Sequence, residues 1–210
     1  MLNEEEIYNP GKYTYQWKRA AFASIREMRD KAGFIAKRIP FNREFYVTYE
    51  NFKNATIENS QIVDKYFLKY LPQYYFTFQE AENPTHQAAY YFMEDIISDE
   101  EMPGQKPVDE LDEFVATFIQ TYLDTYNNPD KPRDQTGISL DLAERNLVYG
   151  HTLTNPKPKL YFVDLHPIYK RKLKQKIMEE IQIFLEAYIN MGKTFPKTEE
   201  KFKLLMELPN

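Results

Sequence analysis

Two aromatic runs constrain this chain more than any other feature: QYYFTFQE at 73–80 and AAYYFMEDI at 88–96. Each is short and dense in Tyr and Phe, the residues that fit a pleated, half-buried surface. The polar ENPTH between them predicts a hairpin loop. Upstream, GFIAKRI (33–39) predicts a third strand, which carries Lys37 and is closed by Pro40. Segment 12–33 supports two readings. Trp17, Ala21, Ile25 and Met28 recur at helical spacing with Gly33 as a stop, or YTYQW and SIREM are strands flanking a turn of small residues.

The second half of the chain has a different period. SDEEMPGQKP (98–107) is a linker by its Pro, Gly and acidic content. VDELDEFVATFIQTYLDTY (108–126) follows with an apolar stripe of Val108, Leu111, Val115, Phe118, Ile119, Tyr122 and Tyr126, and Pro107 suits the first helical position. Residues 127–137 read as a loop, and 146–150 and 159–164 as two strands of a hairpin. A helix is expected at 168–191, with Leu173, Ile177, Ile181, Phe184, Tyr188 and Met191 inward and Gly192 as its cap. A short last helix should start at a Thr198 cap. In the first half, 50–71 is helix-like through Phe52, Ala55, Ile62, Tyr66 and Phe67, and Pro72 stops it. A strand-rich half, a linker, a helix, a hairpin and more helices make an α+β pattern.

Composition excludes several functions. The net charge of -5 gives no basic footprint for nucleic acid. There is no cysteine, and His86, His151 and His166 are scattered, so a zinc site has no ligand set. No stretch approaches the roughly 18–20 apolar residues of a membrane span. The acidic start MLNEEEIYNPGKY has no apolar signal core, so a soluble cytoplasmic protein is the expectation.

The chemistry concentrates in SLDLAERNLVYG (139–150) and LYFVDLHP (160–167). Phosphoryl transfer needs one carboxylate to orient or deprotonate the attacking hydroxyl. It needs a second carboxylate and an amide oxygen to hold magnesium against the phosphates. Asp141, Asn146 five residues later, and Asp164 at the end of an apolar run supply those groups.

SLDLAERNLVY resembles the H-R-D-L-x-x-x-N catalytic loop of the protein-kinase-like superfamily. Asp141 matches its base, and Asn146 its metal-binding amide. YFVDLH resembles the strand leading into D-F-G, which makes Asp164 the magnesium carboxylate. YYFMEDI resembles the last N-lobe strand entering the hinge. It puts Met93 beside the adenine, with Glu94, Asp95 and Ile96 in the hinge. GFIAKRI resembles the strand of the phosphate-anchoring lysine, here Lys37, whose ion-pair partner would be Glu58 or, failing that, Glu50.

The resemblance implies ATP and Mg2+ as cofactors and a single bilobal kinase-like domain over 1–210. Its small strand-rich N-lobe would span about 12–95, its hinge about 95–100 and its reduced helical C-lobe about 101–210. The short remainder after Asp164 is similar to the minimal kinases among bacterial effectors, which lack an activation segment. That implies a protein Ser/Thr kinase acting on a protein substrate or with a regulatory protein partner, and delivery into a host cell if the chain is an effector. A pseudokinase that only binds a partner, or a kinase-fold enzyme doing nucleotidyl transfer or small-molecule phosphorylation, are the alternatives.

A rival register fails. DLHP (164–167) also resembles the H-G-D-L-H-P-x-N loop of small-molecule kinases, but the asparagine position holds Tyr169, and no aspartate follows Asp164. Within the favoured register, Ser139 and Leu140 replace the family's His and Arg, and His166 replaces the glycine of D-F-G. Aligned on Lys37, the phosphate-covering loop reads KRAAFASI, with Phe22 at its tip and alanines where the family has glycines.

Overall fold

The computed structural model describes residues 15–19, 24–28, 33–100, 106–126, 140–165 and 174–208, with backbone alone for the first two segments. They form a mixed α+β fold of two small antiparallel sheets and four helices.

The first sheet contains β1 (Tyr15–Arg19), β2 (Ser24–Met28), β3 (Phe34–Pro40), β4 (Tyr74–Gln79) and β5 (Ala88–Glu94). Its order is β1-β2-β3-β5-β4. The hairpin reading of 12–33 is the one adopted: Arg19 pairs with Ser24, and β2 ladders onto β3 from Ser24↔Arg38 to Glu27↔Ile35. The helical spacing of Trp17, Ala21, Ile25 and Met28 is overridden by that ladder, which satisfies the backbone on both sides of β2. The loop 20–23, with Phe22, lies outside the described residues. Gly33 introduces β3 at φ +84, where a side chain would be strained.

The second sheet contains β6 (Ile97–Ser98), β7 (Leu147–His151) and β8 (Lys159–Phe162), in that order. The β7–β8 hairpin agrees with the sequence reading. β6 does not, because the linker composition of SDEEMPGQKP begins at Ser98. The reason is Gly150. A Cβ there would lie 2.2 Å from the Ile97 carbonyl oxygen, so only glycine lets Ile97–Ser98 close onto β7. The chain thus leaves one sheet at Glu94 and enters the other at Ile97.

Helix α1 (Tyr49–Phe67) starts at Thr48, whose hydroxyl accepts from the Asn51 amide at 3.1 Å. Its last expected turn tightens into a 3-10 turn, Leu68–Tyr70. Helix α2 (Val108–Tyr126) spans its expected range, and its acidic first turns serve other elements. Glu110 accepts the Leu160 amide of β8 at 2.8 Å. Asp112 accepts the Lys197 and Thr198 amides at 3.0 and 2.7 Å, capping α4 (Pro196–Glu207) from outside. Thr198 is therefore not the cap residue: the helix begins two residues earlier with Pro196, and an aspartate from α2 supplies the acceptor.

Helix α3 (Lys174–Asn190) buries Ile177, Ile181, Phe184, Leu185 and Tyr188 and ends at Gly192, φ +75. Met191 is 54% exposed rather than inward. It lies beyond the helix end, on the exposed line of Ile183 and Ala187. Leu173 lies outside the described residues.

One apolar core runs through both sheets and all four helices. At its centre the rings of Phe67 (α1), Phe114 (α2) and Phe162 (β8) meet pairwise with centroids 5.2, 5.8 and 5.5 Å apart. Each such pair adds about 0.5–1.5 kcal/mol beyond its area burial. This junction fixes the end of β8, and hence Asp164, against α1 and α2. No helix among the described residues is long and apolar enough to cross a membrane.

Candidate functional site

The pleat of β3 places Lys37 on the face shared by Ile35 and Ile39, directly across from Tyr91 on β5. That face meets the core, where a lysine needs a partner. Lys37 Nζ finds it in Asp164 Oδ1, with both side chains 12% exposed. Asp164 lies two residues past β8. The next carbonyl, that of Leu165, accepts the side-chain amide of Asn59 at 3.0 Å, so α1 holds the segment from behind. The other end of Asn59, its Oδ1, is buried without a hydrogen-bond partner among the described residues.

The second half of the site is a short loop. Leu140 and Leu142, both buried, anchor it to the core on either side of Asp141. Glu144–Asn146 make one 3-10 turn. This turn brings the Asn146 side chain back onto Asp141, where its Nδ2 donates to the Asp141 carbonyl at 3.1 Å and to Oδ2 at 3.2 Å. The Arg145 guanidinium donates to the same Oδ2 at 3.2 Å. Asn146 is itself buried, and its carbonyl accepts the Val163 amide at 3.0 Å. That bond ties the loop to the residue before Asp164. Lys37 with Asp164 and Asp141 with Asn146 are thus two pairs linked by one backbone hydrogen bond. The expected motif residues from 37, 141, 146 and 164 are brought into one place.

The remaining expected residues are less direct. Glu58 is half-buried in the middle of α1, next to Asn59. Glu50 is exposed and bonded to Lys53 at 2.9 Å. Met93 is buried in the core face of β5, opposite Ile35. Glu94 is buried, and its carboxylate is engaged by the Gln73 amide at 3.1 Å and by the Thr154 hydroxyl. It works as a clamp between the first sheet and the β7–β8 turn. Asp95 donates its amide to the Gly33 carbonyl at 2.8 Å, and Ile96 is half-buried beside Gly150. The segment 94–98 is therefore pinned at its backbone to both sheets.

Three site neighbours escaped the sequence reading. Lys106, with its side chain 3% exposed, bonds Glu100 at 2.9 Å and also Glu144 of the loop. Tyr188 of α3 donates to the same Glu144 carboxylate at 2.9 Å, and Glu100 accepts the Tyr149 amide at 2.8 Å. Burial, then Glu144 beside it, holds the Tyr188 phenol well above its ordinary range. Asn59 is the third. An Asn in the middle of an amphipathic helix, one residue from the expected glutamate, was the available signal. Lys106 gave none, since a lysine in a polar linker looks solvated.

The donor set suits a hard cation. Asp164 offers a carboxylate. Asn146, with its amide nitrogen turned to Asp141, offers its side-chain oxygen on the other side. Magnesium is bound by one or two such groups together with phosphate oxygens. No cluster of three or more His, Cys, Asp or Glu able to hold a metal alone occurs among the described residues. No family model matches the chain, and no curated protein matches it.

Proposed function

We propose that the protein is an ATP- and magnesium-dependent phosphotransferase acting on a protein hydroxyl, built as a reduced kinase-like fold. The observation that carries this reading is the double pairing just described. A strand lysine meets the carboxylate after β8, and the loop carboxylate meets the amide five residues on, with Val163–Asn146 joining them. Magnesium ATP, when bound, supplies an electrophilic phosphoryl group whose charge the cation shares. The chain's own groups do the rest. Lys37 would exchange its contact with Asp164 for phosphate oxygens. Asp164 and the Asn146 side-chain oxygen would hold the cation. Asp141 takes the proton of the acceptor hydroxyl, and Arg145 beside it adds positive charge near the developing negative charge.

The test is intact-mass measurement of the protein and of candidate acceptors after incubation with magnesium ATP. Wild type should add phosphate, while Asp141→Ala and Asp164→Ala should lose at least about 100-fold in rate. A wild type indistinguishable from both variants ends the proposal. The mass added also separates phosphoryl from nucleotidyl transfer.

A second reading is a binding module that keeps the fold without the transfer. Its support is the β1–β2 connection, which reads Ala-Ala-Phe-Ala at 20–23 and so lacks the glycines that let a backbone wrap phosphates. No thermal stabilisation by ATP, with or without magnesium, together with no added mass, favours that reading.

A further inference from the structure

We infer that Asn59 is a positioning residue for Asp164: from α1 it clamps the peptide that follows this carboxylate, and so sets the orientation in which Asp164 would meet a magnesium ion. The magnesium role rests on the phosphotransfer reading; the clamp does not.

The strand ladder of β8 ends at Phe162, so the backbone groups of 163–165 need other partners. They find them on both sides of Asp164. The Val163 amide donates to the Asn146 carbonyl at 3.0 Å. The Leu165 carbonyl accepts the Asn59 side-chain amide at 3.0 Å, across 106 positions of sequence. Asp164 is thus held at the residue before it and at the residue after it, by two different elements. The first bond ties it to the loop of Asp141, and the second ties it to α1. Asn59 and Leu165 are both buried, so water is a poor substitute for the second bond.

Stability alone is a poor reason for an asparagine here. The buried face of α1 carries three polar residues, Thr56, Asn59 and Ser60. Thr56 and Ser60 give their hydroxyl hydrogens to carbonyls of their own helix, those of Phe52 at 2.9 Å and Ile57 at 2.8 Å. Asn59 instead bonds a backbone group far along the chain. Asparagine is also a weaker helix former than leucine. Its Oδ1 is buried with no hydrogen-bond partner among the described residues. Such an acceptor costs more than one typical hydrogen bond returns. Leucine has the same branching and no polar atom to satisfy. What asparagine supplies that leucine cannot is the donor to Leu165. Groups that orient a metal ligand from behind commonly set metal affinity by about 10–100-fold.

Hydrogen exchange without nucleotide tests the clamp. Peptides covering 163–165 should exchange at least about tenfold faster in Asn59→Leu than in wild type, with α2 unchanged. Magnesium titration at fixed ATP, read as melting temperature, tests its purpose. The half-saturating magnesium concentration should rise about 10–100-fold in Asn59→Leu, while the melting temperature without ligand stays near that of wild type. Thr56→Val, one turn away on the same face, should change neither reading. If Asn59→Leu does not fold, Asn59→Ser, too short to reach Leu165, takes its place in both arms. Unchanged exchange at 163–165, an unchanged magnesium midpoint against a responsive wild type, or an equal shift in Thr56→Val would overturn the assignment. So would exchange that rises evenly over the whole chain, which marks a residue serving stability only. A wild type with no magnesium-dependent shift sinks the phosphotransfer reading instead, and the exchange arm then decides on the clamp by itself.

Discussion

Lys37 and Lys106 are both buried lysines, and they are held in opposite ways. Lys106 is enclosed, 3% exposed, between two carboxylates that are each bonded to something else as well: Glu100 to the Tyr149 amide, Glu144 to the Tyr188 hydroxyl. Lys37 is four times more exposed and meets Asp164 between β3 and the segment that follows β8. A closed network with every member satisfied rigidifies what it joins. An ion pair reachable from solvent can trade one partner for a ligand. The first lysine therefore fits a role in positioning the loop that carries Asp141 and Asn146, and the second a role in binding.

The largest expected effect breaks the closed network. Lys106→Met leaves the largely buried Glu100 without its cation and takes a partner from the part-exposed Glu144, and should cost about 3 kcal/mol of stability, read from urea denaturation. Lys37→Met should cost less, about 1–2 kcal/mol, because it removes the cation from one carboxylate rather than from two. It should instead remove any thermal stabilisation by magnesium ATP. If the two variants lost equal stability, the distinction between a structural and a binding lysine would be wrong. If Lys37→Met kept full nucleotide stabilisation, the binding half of the comparison would fail alone.

This contrast also explains what could be read from residues. Lys37 sits in a strand whose alternation with Ile35 and Ile39 is local, so its face follows from GFIAKRI by itself. Asp164 at the end of an apolar run is equally legible. Helices α1 to α3 and the β7–β8 hairpin follow from their periodicity, and Asn146 folding back on Asp141 fits the five-residue spacing. Lys106 and Glu144 are 38 positions apart, and nothing in either neighbourhood says they meet. The same holds for Asp112 capping α4 across 86 positions. Strand β6 was hidden because its signal, Gly150, lies on the partner strand. Long-range polar pairing leaves no periodic trace, and that is where sequence reasoning stopped.

A smaller change tests whether Tyr188 belongs to the closed network. Tyr188→Phe keeps the ring and removes the hydrogen bond to Glu144, which should cost about 1 kcal/mol at neutral pH. The pH dependence has a definite sign. The phenol is held above its unfolded value of 10.0 by burial and then by Glu144. Below pH 10 both states keep the proton, and the stabilisation is whole. Above pH 10 the unfolded chain releases its proton while the folded one holds it, so stability falls as pH rises. Tyr188→Phe should make that alkaline fall shallower. It should not abolish it, since Tyr49, pushed up to about 12 chiefly by burial, loses its contribution in the same direction. An unchanged alkaline slope in the variant would detach Tyr188 from the effect.

The smallest stability change should come from Arg145→Ala, and it sharpens the comparison from the exposed end. The Arg145 side chain is 80% exposed, and its bond to Asp141 spans a single turn. Exposed pairs of this kind contribute at most about 0.5 kcal/mol, and salt screens them. Stability should thus be the same in wild type and variant, and equally insensitive to added salt. Turnover, if Asp141 is the base, should not be the same. The guanidinium is a cation bonded directly to that carboxylate, so its loss removes charge stabilisation where the transferring group arrives. A fall in kcat with unchanged KM and unchanged melting temperature assigns Arg145 to the reacting end of the loop. A fall in melting temperature by several degrees would instead place it with Lys106, among the residues that hold the loop in shape.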